Sequence, residues 1–130
     1  MVFRVKILDS SFLISFYLTE DTNHENALKL AEENKNETML LCDVILFETL
    51  TILNYKKNIN FAKYAFNELL ENKNIRFFHL TDAEKDEILN GFFNQRIKLS
   101  FQDVSVIYLA NKGKSEALAF DKGILDNIAK

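Results

Sequence analysis

The sequence predicts an α/β fold, a three-layer α/β/α sandwich around a central, mainly parallel sheet of four to five strands. Three observations carry this. Short apolar runs at residues 2–8, 38–42, 75–79 and 117–120 alternate with helical stretches. Strands joined through helices pair in parallel, with both faces of the sheet covered. The first run is broken only by Arg4 and Lys6, as for a strand lying in mid-sheet. Finally, 3 Gly, no Pro and 48% hydrophobic residues among 130 favour helices with tight connections over a sandwich of short strands.

Each element has a local reason. In the first strand, residues 2–8, Arg4 and Lys6 lay their stems along apolar neighbours and surface their charges. Ser11 is placed to cap a helix over 12–18. Residues 20–26 are polar and turn-like, and 27–33 form a helix burying Ala27, Leu28, Leu30 and Ala31. After a turn at 34–37 comes the second strand, 38–42. Asp43 caps a strong helix to about Lys57, with Cys42 and Phe47 spaced as a hydrophobic staple. A helix over 61–70, closed by Lys73 and Asn74, leads to the third strand, 75–79. Thr81 and Glu84 form a capping box for a helix reaching about Arg96, which tolerates Gly91 at some cost. Ser100 opens the next helix, and 111–114 is a turn. The fourth strand, 117–120, ends at Asp121, Gly123 permits a sharp turn, and 124–130 is a short helical tail. Connections are short throughout, so residues 1–130 read as a single domain.

The formal net charge of −3 does not advertise nucleic-acid binding. Clustered acids offset by bound divalent cations would account for much of the negative sign. The single cysteine, Cys42, forms no internal disulfide and fits buried packing in a reducing compartment. No apolar run approaches the roughly 18 residues of a membrane helix, and the first residues lack a secretory pattern. A cytoplasmic protein, with no membrane partner, is expected.

Four acids fall where chemistry is done. Asp9 and Asp121 each follow an apolar strand, at the sheet edge where ligands bind in open α/β folds. Either also serves as a turn former. Glu48 lies inside a helix, flanked at helical spacing by Val44, Ile45, Ile52 and Tyr55, so either the best-covered face of that helix carries a carboxylate or Glu48 sits at the edge of that face and reaches solvent. Asp103 occupies the third position of a capping box begun by Ser100; cap and ligand roles are compatible. Carboxylates brought together repel and raise one another's pKa unless protons or cations compensate. Hard oxygen donors favour Mg²⁺ or Mn²⁺, and such a site suits phosphodiester hydrolysis.

The ordered pieces resemble a PIN-domain protein, most closely the ribonuclease toxin of a VapBC-type toxin–antitoxin pair. They are Val5-Lys6-Ile7-Leu8-Asp9-Ser10-Ser11, Asp43-Val44-Ile45-Leu46-Phe47-Glu48-Thr49-Leu50, Leu99-Ser100-Phe101-Gln102-Asp103 running on to Leu109-Ala110, and Ala117-Leu118-Ala119-Phe120-Asp121. The resemblance implies a PIN-like fold and a Mg²⁺- or Mn²⁺-dependent endoribonuclease. By position, Asp9, Glu48, Asp103 and Asp121 would be the catalytic, metal-holding acids, and Ser10 a supporting hydroxyl beside the first. It further implies an RNA substrate, a homodimer, and a small cognate antitoxin through which alone the complex meets DNA. Two departures stand out. Ala119 and Ile124 replace the hydroxyl residue and the aromatic that often flank the fourth acid, and the chain reaches Lys130 without the family's final strand.

His24 and His79 show no ligand spacing, and Lys56, Lys57, Lys63, Arg96, Lys98, Lys112, Lys114 and Lys122 read first as solvated charge. Phe92 and Phe93 with Ile88 and Leu89 offer a dimer face or belong to the core, and Phe12, Phe16 and Tyr17 form a patch for an antitoxin helix. Two other functions fit less well. One is a catalytically weak PIN-like module that binds RNA or protein. The other is an α/β phosphatase or phosphotransfer domain, against which Asp9-Ser10-Ser11 lacks a second close Asp.

Overall fold

In the computed structural model, which describes residues 5–129, the sheet has four parallel strands in the order β3-β2-β1-β4. They are β1 (Val5–Leu8), β2 (Thr38–Cys42), β3 (Ile75–Phe78) and β4 (Glu116–Leu118). The expected start of the first strand at residues 2–4 lies outside the described residues. The helices are α1 (Ser10–Tyr17), α2 (His24–Glu33), α3 (Asp43–Lys56), α4 (Ile59–Glu71), α5 (Asp82–Phe93), α6 (Phe101–Gly113) and α7 (Lys122–Asp126). They cover both faces of the sheet, giving the expected three layers.

The strand order places the site. From β1 the chain steps outward through β2 to β3, then returns through α5 and α6 to add β4 on the far side of β1. The order therefore reverses between β1 and β4, and the crevice at the carboxyl ends there is where such sheets bind ligands. Ile7 and Leu8 of β1 and Leu41 and Cys42 of β2 are buried in one cluster with Val106 of α6 and Ile124 of α7. A smaller cluster of Leu18, Leu53, Ala62 and Ala65 joins α3 to α4. Among the described residues no helix is long and apolar enough to cross a membrane.

Local hydrogen-bond chemistry corrects several expected boundaries. The first helix begins at Ser10, and its cap is Asp9 rather than Ser11: the Asp9 carboxylate accepts from the Ser11 backbone N–H. α2 starts at His24, inside the stretch expected to turn, because backbone bonds from His24 and Ala27 to Asp21 and Asn23 already close the chain. Leu28, expected inside, is exposed. In α3 the cap position is Cys42, and Asp43 is the first helical residue. That shift by one undoes the staple, and Phe47 is 62% exposed. α4 is longer than expected, because Asn58 caps it three residues before Phe61. α5 stops at Phe93, short of Arg96, where the Asn94 side chain bonds back to the Asn90 carbonyl. α6 runs through the expected turn to Gly113 and ends on Lys114 in the left-handed region, φ 52°. β4 is only Glu116–Leu118, so Asp121 lies three residues beyond it and caps α7. Gly123 has no positive φ. Its role is close approach, since a Cβ there would meet the Leu99 side chain at 3.0 Å and Asp121 Oδ1 at 3.1 Å.

Candidate active site at the carboxyl edge of the sheet

Asp9 ends the central strand. Its backbone N–H continues the ladder to β4, donating to the Leu118 carbonyl at 3.1 Å, while its side chain turns to the start of α1. Only 2% of the residue is exposed. One carboxylate oxygen, Oδ2, accepts from the Ser11 backbone N–H at 3.0 Å and from the Ser11 hydroxyl. The other, Oδ1, is buried with no hydrogen-bond partner among the described residues. Burial pushes the Asp9 pKa up to about 6; the two Ser11 hydrogen bonds pull the other way, and repulsion from Asp103 and Glu48 adds to the rise.

Ser11 was read from the sequence only as a cap. Its hydroxyl also accepts from the Phe120 backbone N–H at 2.9 Å, tying the end of β1 to the segment after β4. The Asp-x-Ser spacing is the visible signal, because a capping Asp reaches the N–H two residues on. Ser10, expected as a supporting hydroxyl beside Asp9, bonds a second acid. Its hydroxyl donates to Glu48 Oε1, not to Asp9.

Glu48 sits in α3, and here the expected picture changes. The buried face of α3 is Ile45, Leu46, Thr49 and Leu53; Tyr55, expected beside Glu48 on the covered face, is 90% exposed. Glu48 is half-buried at the edge of that face, where a carboxylate keeps some water. Asp103 closes the capping box as expected, its Oδ2 accepting from the Ser100 N–H at 3.2 Å and its own N–H donating to Ser100 Oγ at 3.0 Å. Ser100→Ala removes one side of this box, and a stability loss of about 1 kcal/mol is expected in urea denaturation.

Asp121 is committed to a cap. Its Oδ1 accepts from the backbone N–H groups of Gly123 at 2.8 Å and Ile124 at 3.3 Å. It lines a shallow cleft with Ser11, Ser15 and Asp21. Thus Glu48 and Asp103 stand near enough to raise the Asp9 pKa, while Asp121 adjoins through the Ser11–Phe120 tie. Among the described residues, no three Asp, Glu, His or Cys side chains stand close enough to grip one ion together. Of the lysines, Lys57 pairs with Glu20 at 2.8 Å and Lys112 with Glu84 at 3.4 Å. Cys42 is buried as expected.

A parallel sheet with a buried acid at its switch point and two more acids nearby defines an open α/β protein with acids at the carboxyl edge of its sheet. The family model described as "PIN domain" matches residues 6–130, and the chain belongs to that family. Among solved structures it is similar to Mycobacterium tuberculosis VapC20, a sarcin–ricin-loop-cleaving toxin, at 23% identity and TM-score 0.82, over 92% of each chain. It is similar to VapBC2 of Rickettsia felis, solved bound to a fragment of promoter DNA, at 12% identity and TM-score 0.66, over 95% of each chain. It is also similar to PAE2754 of Pyrobaculum aerophilum, at 16% identity and TM-score 0.58, over 98% of this chain and 87% of that one. No curated protein sequence matches this chain.

Proposed function

We propose that this protein is a divalent-metal-dependent endoribonuclease, the toxin of a toxin–antitoxin pair. One observation carries the reading: the buried, unpartnered Oδ1 of Asp9 at the switch point, with Glu48 and Asp103 close enough to repel it. A buried carboxylate oxygen without a donor is costly, and a hard cation relieves that cost. The available donors are carboxylate oxygens, the set Mg²⁺ and Mn²⁺ prefer. Mg²⁺ keeps several waters and needs only one or two carboxylates. Asp9 would hold the ion, with Glu48 and Asp103 contributing directly or through water and Asp121 through water. A bound divalent ion supplies a water of lowered pKa and positive charge opposite the phosphodiester. The chain's own part is orientation: Ser11 fixes Asp9, Ser10 fixes Glu48 and the capping box fixes Asp103.

Partners follow the same logic. Likeness to a toxin that cleaves an RNA loop supports RNA as the substrate. Likeness to a VapBC complex on promoter DNA supports an antitoxin, with DNA reached through it. A cavity of about 160 Å³ floored by Phe12, Phe16, Tyr17 and Leu69 fits an apolar side chain from an antitoxin helix. Phe93, 73% exposed, and Leu89 on α5 suit a homodimer face, while Ile88 takes the core alternative.

The test is cleavage of a structured RNA pool. Cuts are expected with Mn²⁺, abolished by EDTA and restored by excess Mn²⁺. RNA bound but never cut would favour the second reading, a binding module, which the capping commitment of Asp121 supports.

A further inference from the structure

We infer that the shallow cleft beside Glu48 binds one nucleobase of the RNA strand next to the cleaved phosphodiester. This rests on the ribonuclease reading and assigns the residues that choose the nucleotide. The cleft is lined by Val44, Phe47, Glu48, Thr51, Ile52 and Gln102. Its walls ride on the same turns as two of the acids: Phe47 precedes Glu48 on α3, and Gln102 precedes Asp103 in the first turn of α6. A nucleotide whose phosphate lies between those acids therefore has its base within reach of this cleft.

The chemistry of the lining selects a base over the other parts of a nucleotide. Phe47 presents an aromatic ring that is 62% exposed, although α3 buries Ile45 and Leu46 beside it. One exposed Phe needs no explanation. This one is flanked by half-buried Val44 and Ile52, which extend a flat apolar wall. Splayed bases of single-stranded RNA stack on such rings whatever their identity. The only charge in the lining is the Glu48 carboxylate, which repels a phosphate and tolerates a neutral base. Two groups are left to read the base edge. The Gln102 amide, a donor and an acceptor, has no hydrogen-bond partner among the described residues. Thr51 gives its hydroxyl proton to the Phe47 carbonyl at 2.8 Å, leaving its oxygen free to accept.

The experiment is fluorescence anisotropy of the protein with labelled eight-nucleotide homopolymer RNAs and an abasic strand, in Ca²⁺ so that the acids are neutralised, with the strands checked intact on a gel. Phe47→Ala should weaken RNA binding roughly tenfold, the scale of one lost aromatic–base stack. Phe47→Trp should retain it, and the abasic strand should show no Phe47 effect. Gln102→Ala should keep affinity within about threefold while changing the ranking of the four homopolymers. Equal binding by Phe47→Ala and wild type, with wild type still cutting RNA in Mn²⁺, overturns the base assignment alone. So does a shift of oligomeric state in Phe47→Ala at unchanged RNA affinity, which would make this face a protein interface. Wild type that neither binds nor cuts RNA overturns the ribonuclease reading as well.

Discussion

Asp9→Asn should abolish metal binding and cut RNA cleavage at least about a hundredfold, while making the metal-free protein more stable at neutral pH. The two effects share one cause. Asp9 is buried with Oδ1 unpartnered, and its pKa is raised from 3.8 to about 6. Between those values the folded protein holds a proton that the unfolded chain has released, so stability falls as pH rises through this window. Below it the group is neutral in both states and nothing is lost. Above about pH 6 the cost is complete, on the order of 3 kcal/mol at pH 7. Asparagine carries no charge and escapes it. Urea denaturation should therefore show Asp9→Asn stabilised by about 1–3 kcal/mol at pH 7 and nearly unchanged at pH 4. If Asp9 seats the ion as proposed, Mn²⁺ should reverse the order, raising the melting temperature of the wild type but not the variant's. A variant less stable than wild type at pH 7, without metal, would contradict the strain placed on Asp9.

Ser11→Ala is expected to damage both fold and activity, although Ser11 is no candidate ligand. Its hydroxyl donates to Asp9 Oδ2 and accepts from the Phe120 N–H at 2.9 Å, so its loss frees both groups at a half-buried junction. Orphaning a donor of this kind costs about 1–2 kcal/mol. The Ser11 hydrogen bonds also hold the Asp9 pKa down against burial, so removing the hydroxyl raises it further. Cleavage at pH 7 should fall about tenfold, with the acidic limb of the pH–rate profile moved upward. Ser11→Thr keeps a hydroxyl and should restore most of both. An unshifted pH profile in Ser11→Ala would separate Ser11 from the chemistry and leave it a structural tie.

How far the sequence spoke depends on whether the deciding interaction was local. The capping boxes at Thr81–Glu84 and Ser100–Asp103 form as read, because their hydrogen bonds close within one helical turn. β2 and β3 are found within one residue of their expected ends, as apolar runs between polar turns. α3 was harder. Phe47 and Tyr55 are apolar on sides the fold leaves open, so periodicity gave no clear face and left the depth of Glu48 undecided. Packing against β2, α1, α4 and α6 decides which side of α3 is inside. The acids were legible as residues, and their order along the chain suggested a common pocket. Two commitments were not legible, Ser10 to Glu48 and the Phe120 N–H to Ser11, because they join residues far apart in the chain that only the tertiary fold brings together. Ser11 to Asp9 and Asp121 to the start of α7 close within three residues and were open to a local reading.

The most direct test is a crystal soaked in Mn²⁺ at neutral pH, with anomalous scattering recorded at the manganese edge. A single strong peak within coordination distance of Asp9 Oδ1, with Glu48 and Asp103 oxygens around it directly or through water, is the expected result. Full Mn²⁺ exposure with no peak at Asp9, or a peak held by other residues, would contradict the claim that this buried carboxylate is a metal's seat.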